Sequence, residues 1–206
     1  MRKYLRITII GILLIAQGWA GKTPQQLNQV IDHFMKMQSS SLEISQVIDW
    51  RFMGKNDSIT LKMDIKADRN FHLTLDAFGM EIFVTENEMM TINHVRQQII
   101  YENASPDELL KQLFVGGDLS DARFKREEIT GNGLKRLDFR FSGDFSDWES
   151  LSVVLDANDD LKQIILVDYD GNKYLITLNY LKNYHDFVLP NIQKDFLHYQ
   201  TADLRD

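Results

Sequence analysis

The chain has no cysteine. That excludes disulfides, thiolate metal sites and a catalytic thiol, so stability must come from a packed core. Three prolines and 11 glycines in 206 residues, with no low-complexity tract, leave no linker for a second domain. No internal repeat is present either. Basic residues are the scarcer charge, 23 Lys+Arg against 30 Asp+Glu, for a net charge of −7. That balance argues against a nucleic-acid partner. It suits a soluble protein that stays off anionic membranes. Long hydrophobic runs are missing as well. The stretch from Ile7 to Ala16 is about half of the roughly 20 residues that a spanning helix needs.

That stretch has a different meaning. Arg2, Lys3 and Arg6 precede it, and Gly18-Trp19-Ala20 closes it on small residues. Charged start, short apolar middle and small-x-small end are the parts of a secretory signal peptide. The expectation is a leader over residues 1–20 and a single domain over residues 21–206. Gly21, not cysteine, follows Ala20, so this leader predicts export without a lipid anchor.

Past the leader, Thr23-Pro24 reads as a helix cap and first helical residue. Leu27, Val30, Ile31, Phe34 and Met35 then recur at helical spacing, and Ser39-Ser40-Ser41 breaks the pattern. From Leu42 the period falls to two. Ile44, Ile48, Trp50 and Phe52 alternate with polar residues, though Val47 breaks the pattern; Ile59, Leu61, Met63 and Ile65 alternate strictly, and then Phe71, Leu73, Leu75 and Ala77 alternate too. Strands apolar on one face and polar on the other belong to an antiparallel sheet wet on one side. Glu81 to Thr85, Met89 to Val95 and Arg96 to Glu102 continue the meander. Ser105-Pro106-Asp107-Glu108 opens a second helix with Leu109, Leu110, Leu113 and Phe114 on its apolar side. Strands resume at Ala122, and Asp170-Gly171 is the strongest hairpin signal. Roughly ten strands and two helices are predicted, with the segment Gln193 to Asp206 left unassigned. So many consecutive antiparallel strands must curl. The fold class is mainly β (α+β): a curved antiparallel sheet forming a half-barrel, its concave face covered by the amphipathic helices.

Catalytic patterns are absent. His33, His72, His94, His185 and His198 form no ligand-spaced pair, so neither a metal nor a cofactor is expected, and no enzyme. Asp156-Ala157-Asn158-Asp159-Asp160 starts like a calcium loop but has Leu161 where the glycine belongs; an acidic turn explains it better. Asp144, Asp147 and Glu149 read as an exposed turn. Apart from Met1, every methionine lies between Met35 and Met90. Flexible thioethers fill core gaps and also suit a wall that moulds to varied apolar ligands. Core packing is the default for Trp50, Phe52, Phe71, Phe83, Phe139 and Phe141, with a cavity wall as the alternative.

The layout resembles the LolA family of periplasmic carriers of outer-membrane lipoproteins. Met37-Gln38-Ser39-Ser40-Ser41-Leu42-Glu43-Ile44-Ser45-Gln46 is similar to that family's helix exit. Lys66-Ala67-Asp68-Arg69-Asn70-Phe71 is similar to its Lys-Arg-Pro-Asn-x-Phe turn, and Ile82-Phe83-Val84-Thr85-Glu86-Asn87 to its Ile-Leu-Val-x-Asp-Gly strand and turn. Ala67 stands where the family has its lid-holding Arg, and Met90-Thr91-Ile92-Asn93 where it reads Leu-Trp-Phe-Tyr, so the resemblance is to a divergent member. It implies a lipid cavity walled by Ile48, Trp50, Phe52, Leu61, Met63, Ile65, Phe71, Leu73, Leu75 and Phe83. It implies a lid carrying Leu109, Leu110, Leu113 and Phe114, with Arg69 as the candidate lid lock. The implied cargo is an acylated lipoprotein or lipid, carried by a monomer in the periplasm. The implied partners are an inner-membrane ABC transporter as donor and an outer-membrane receptor. Alternatives on the same fold are a carrier of another amphiphile, such as a glycolipid or pigment, and a stress-sensing module that binds lipoproteins.

Overall fold

A computed structural model of the chain describes residues 24–37, 39–66, 70–85, 88–103, 119, 121–142 and 147–205. The leader, the predicted lid helix and Arg69 lie outside these residues. The described part opens with helix α1 (Gln25–Met35), where the 3-4 spacing put it. Leu27, Val30 and Phe34 are its buried stripe. Twelve strands follow: β1 (Ser40–Trp50), β2 (Lys55–Lys66), β3 (Asn70–Leu75), β4 (Met80–Val84), β5 (Glu88–Asn93), β6 (Gln98–Asn103), β7 (Ala122–Ile129), β8 (Lys135–Phe141), β9 (Trp148–Leu155), β10 (Leu161–Asp168), β11 (Lys173–Tyr180) and β12 (Gln200–Asp203). A four-residue helix, α2 (Ile192–Asp195), precedes β12. The strands form one open sheet in the order β12-β6-β5-β4-β3-β2-β1-β11-β10-β9-β8-β7.

Mainly β, chiefly antiparallel and open is the class the alternation predicted. One pairing departs from it: β12 joins the edge strand β6 in parallel, with Thr201 opposite Ile99. A parallel partner cannot arrive through a tight turn. The long excursion from Tyr180 to Gln200 makes it possible.

The chain divides into two compact units. The first holds α1 up to Phe34, Gln46–Ser58 and Asp107–Thr177. Across β8, β9, β10 and β11, Phe139 faces Leu151, Leu151 faces Leu166, and Leu166 faces Tyr174. Residues directly opposite share a face, so these buried side chains make one apolar surface. The other face is mixed, with Val154, Ile165 and Leu175 beside a polar cluster. Asp138 accepts from Arg126 at 2.8 Å, Arg136 at 2.7 Å and Ser152 at 2.6 Å. The Asp156–Asp160 segment is the acidic turn expected: one Asp156 carboxylate oxygen accepts from the backbone N–H of Asn158 and Asp160, and Lys162 lies 3.0 Å from the other.

The β10–β11 hairpin closes as a three-residue loop, with Gly171 N–H donating to Asp168 O and Asp168 N–H to Asn172 O. Gly171 sits at φ +79°, and a Cβ there would lie 2.6 Å from Arg51 Nη1. Gly171→Ala should therefore lower stability by about 1–2 kcal/mol, measured by urea unfolding, because the left-handed backbone is strained for alanine and Arg51 must move. An unchanged midpoint would mean that the loop relaxes to another turn type at no cost. Beside this hairpin, Tyr174 donates to Asp168, and its phenol is pushed up to about 12 by burial first and by the Asp168 charge second.

The second unit holds Met35–Ser45, Ile59–Pro106 and Leu178–Asp206. Here the expectation of a sheet wet on one side fails. Ile82, Phe83 and Val84 are all buried in β4, as are Met89 to Ile92 in β5. The cause is the C-terminal segment. Phe187, Ile192, Phe196 and Tyr199 pack on the cluster formed by Phe83, Met90, Ile92 and Ile99. Both faces of this part of the sheet are thereby dry.

Candidate functional site

The register of the second unit sorts the predicted cavity wall. Met63 pairs with Leu73, and Ile65 with Phe71. Phe71 pairs with Val84, Leu73 with Ile82 and Leu75 with Met80. Val84 in turn pairs with Met89. One face of β2 to β5 therefore carries Met63, Ile65, Phe71, Leu73, Leu75, Ile82, Val84 and Met89, all buried. Five of these eight were in the predicted wall. Ile82, Val84 and Met89 were not, although the numbering of β4 offered Ile82 and Val84 as readily as Phe83. Leu61 is half-buried, two residues before Met63 on the same strand.

Two predicted wall residues are misplaced. Phe83 pairs with His72, not with Phe71, and so points to the opposite face, where it is stacked on that imidazole at 4.2 Å. A contiguous apolar run does not say which face each residue takes. Phe52 is not in a strand at all. β1 ends at Trp50, a turn follows, and Phe52 is 79% exposed. Ile48 and Trp50 belong to the first unit. Ile48 is buried. Trp50 is half-buried, donates its indole N–H to Asp57 at 2.9 Å and meets Tyr174 edge-on. The candidate lid residues Leu109, Leu110, Leu113 and Phe114, and Arg69, lie outside the described residues.

One titratable group borders the apolar face. Glu102 lies directly across from Met89, and burial raises its carboxyl above the usual range. The thioethers divide: Met63 and Met89 are on this face, Met90 is on the other, and Met53 is exposed.

The opposite face holds a polar network that sequence reasoning missed. Glu81 bridges two imidazoles, His72 Nε2 and His94 Nε2, each at 2.8 Å. His94 Nδ1 meets the Tyr199 hydroxyl at 3.1 Å. With both Nε2 atoms facing the carboxylate, each presents an N–H there. Ser41 donates to Asp64 at 2.5 Å and accepts from the His185 backbone N–H at 2.9 Å. Lys66 pairs with Asp186 at 3.0 Å. Arg205 reaches Glu88 at 2.6 Å and sits over the Tyr101 ring at 4.7 Å. These contacts fasten the C-terminal segment to its face of the sheet. No three His, Asp or Glu side chains among the described residues are grouped to hold a metal. No helix among them is long and apolar enough to cross a membrane.

An open, mainly β sheet with one long apolar face is the class of fold defined here. Among solved structures, the chain is similar to an uncharacterized conserved protein from Thermus thermophilus, at 14% identity over 87% of this chain and 99% of that one, with a TM-score of 0.49. It is also similar to a putative outer membrane lipoprotein-sorting protein domain from Vibrio parahaemolyticus, at 8% identity over 84% and 96%, TM-score 0.39. A LolA superfamily protein from Nitrosomonas europaea is similar at 12% identity over 85% and 98%, TM-score 0.37. No protein-family profile matches the chain, and no curated protein matches it.

Proposed function

We propose that this protein is a carrier that shields the acyl chains of lipoproteins against the apolar face of β2 to β5 and shuttles them through the periplasm. The observation that supports this reading is the contrast between the two faces of the second unit. One is filled by the chain's own C-terminal segment through Phe187, Ile192, Phe196 and Tyr199. The other is a continuous apolar surface from Met63 to Met89, buried in the structure, which acyl chains would reach when the lid moves. Met63 and Met89 give it side chains that adapt to varied shapes. Leu109, Leu110, Leu113 and Phe114 would form the lid, and Arg69 would lock it.

The energetics suit a shuttle. Each buried CH₂ is worth about 0.8 kcal/mol against water. Three acyl chains would nominally exceed the roughly 20 kcal/mol ceiling on noncovalent affinity. Transfer stays reversible because the competing state is a bilayer, not water, and an apolar pocket and a lipid tail region are nearly equal in free energy. Direction then comes from a donor in the inner membrane, an acceptor in the outer membrane, or the lid. No reacting group is required, so the protein would be no enzyme.

Native mass spectrometry of protein exported with its leader and purified from the periplasm tests this. Adducts of lipid or lipoprotein mass are expected, and their masses separate an acylated lipoprotein from another amphiphile. Lipid-free protein that also releases no lipoprotein from spheroplasts would sink the carrier reading.

A further inference from the structure

The turn joining β1 to β2, Arg51 to Gly54, holds two large apolar side chains in water. Phe52 is 79% exposed and Met53 is 62% exposed. A single exposed apolar residue needs no explanation. Two in succession at the crest of a tight turn are unusual, because polar residues or glycine would serve the turn as well. Three backbone donors of the turn are already paired. Met53 N–H and Gly54 N–H both donate to Trp50 O at 3.1 Å, and Arg51 N–H donates to Asn172 Oδ1 at 3.1 Å. Donors already paired within the protein lose little on entering a medium that offers no hydrogen bonds. Arg51 runs over Gly171, and its guanidinium lies 5.8 Å from the Phe52 ring centroid. Such a side chain can keep its stem on apolar surface while its head stays at phosphate level. Tyr169, 58% exposed, stands on the adjoining β10–β11 turn.

We propose that this turn is a reversible membrane anchor: Phe52 and Met53 enter the boundary between headgroups and acyl chains of a phospholipid bilayer, with Arg51 at the phosphates. The occupant follows from shape and charge. Two adjacent side chains on a crest suit a layer that deforms around them. The nearby charges nearly cancel: Lys55 is paired with Asp57 at 3.6 Å, and Asp49 and Asp170 are exposed beside Arg51 and Lys173. With a net charge of −7 the chain is not drawn to anionic lipid from a distance. Binding therefore depends on the apolar pair, changes little with salt, and does not require anionic lipid. The anchor goes beyond the carrier reading and needs no cargo.

Flotation with phosphatidylcholine vesicles tests it. The parent protein should float at low and high salt. The double variant F52S/M53S should lose at least about tenfold of its bound fraction, given what burying two such side chains is worth. Leu197 is 74% exposed in the other unit, and L197S should float like the parent. The single variant F52W should show a blue shift in fluorescence when vesicles are added. Failure of the parent to float, equal flotation of F52S/M53S, or an unshifted F52W spectrum would each overturn the proposal, the last two leaving a pocket on a partner protein as the occupant of this turn. Lipid adducts in native mass spectrometry should persist in F52S/M53S, so loss of the anchor and loss of cargo are read separately.

Discussion

Replacing Phe71 by alanine should lower the free energy of unfolding by about 3–5 kcal/mol, among the largest effects of any single truncation in the second unit. Phe71 is 2% exposed and stands in the middle of the apolar face, with Ile65 across one strand and Val84 across the other. Truncation removes the transfer free energy of the ring and leaves a cavity that neighbouring strands, fixed by their ladders, cannot close. The adjacent residue supplies the comparison. His72 points to the opposite face, stacked on Phe83 and bonded to Glu81. Its replacement by alanine removes two ring contacts, with Phe83 and Phe187, and one hydrogen bond to a partly exposed carboxylate, about 1–2 kcal/mol. Urea unfolding followed by circular dichroism measures both. A loss below about 1 kcal/mol for Phe71→Ala would mean that the face is not close-packed, and the assignment of Met63, Ile65, Phe71 and Leu73 to one dry surface would have to be abandoned.

The same pair of residues shows what a reader of the sequence could and could not see. In β2 and β3 the alternation is strict, so Met63, Ile65, Phe71 and Leu73 were legible as one face from their spacing alone. In β4 it is not. Ile82-Phe83-Val84 is apolar throughout, and only the strand register separates Phe83 from its neighbours. The reason for that run is remote in sequence: Phe187, Ile192, Phe196 and Tyr199 cover the second face. Ile192, Phe196 and Tyr199 stand at helical spacing, but the helix there, α2, is only four residues long and Phe187 lies outside that pattern. Nor does Gln200-Thr201-Ala202-Asp203 look like a strand; it becomes one because β6 is an edge with open hydrogen-bonding groups. Phe52 continued the β1 alternation on paper. The chain instead turns at Gly54, at φ +55°, and that reversal put an expected wall residue into solvent.

Asp138→Asn should cost about 1–3 kcal/mol at neutral pH and flatten the acid limb of the stability curve. Burial alone would raise the Asp138 carboxyl. Hydrogen bonds from Ser152, Arg126 and Arg136, with the Arg136 charge, outweigh it and hold the group at about 2, against an ordinary 3.8. The sign follows from linkage. A carboxylate whose folded value lies below its unfolded one stabilises the protein fully above about pH 4, and that stabilisation fades as pH falls toward 2. A depression of this size corresponds to about 2 kcal/mol. Asp156, Asp186 and Asp203 are also lowered and share the same limb, so the difference between variant and parent, not the parent curve, isolates Asp138. Asparagine keeps the shape and can still accept from one arginine, which holds the loss below that of a deletion. Arg126 and Arg136 are partly exposed, so water can take up the donors left over. Urea unfolding of both proteins from pH 7 down to about 2 should show two curves that converge at the acid end. Parallel curves would mean that the Asp138 charge contributes nothing, and that Ser152 and the two arginines hold β7, β8 and β9 together by neutral hydrogen bonds alone.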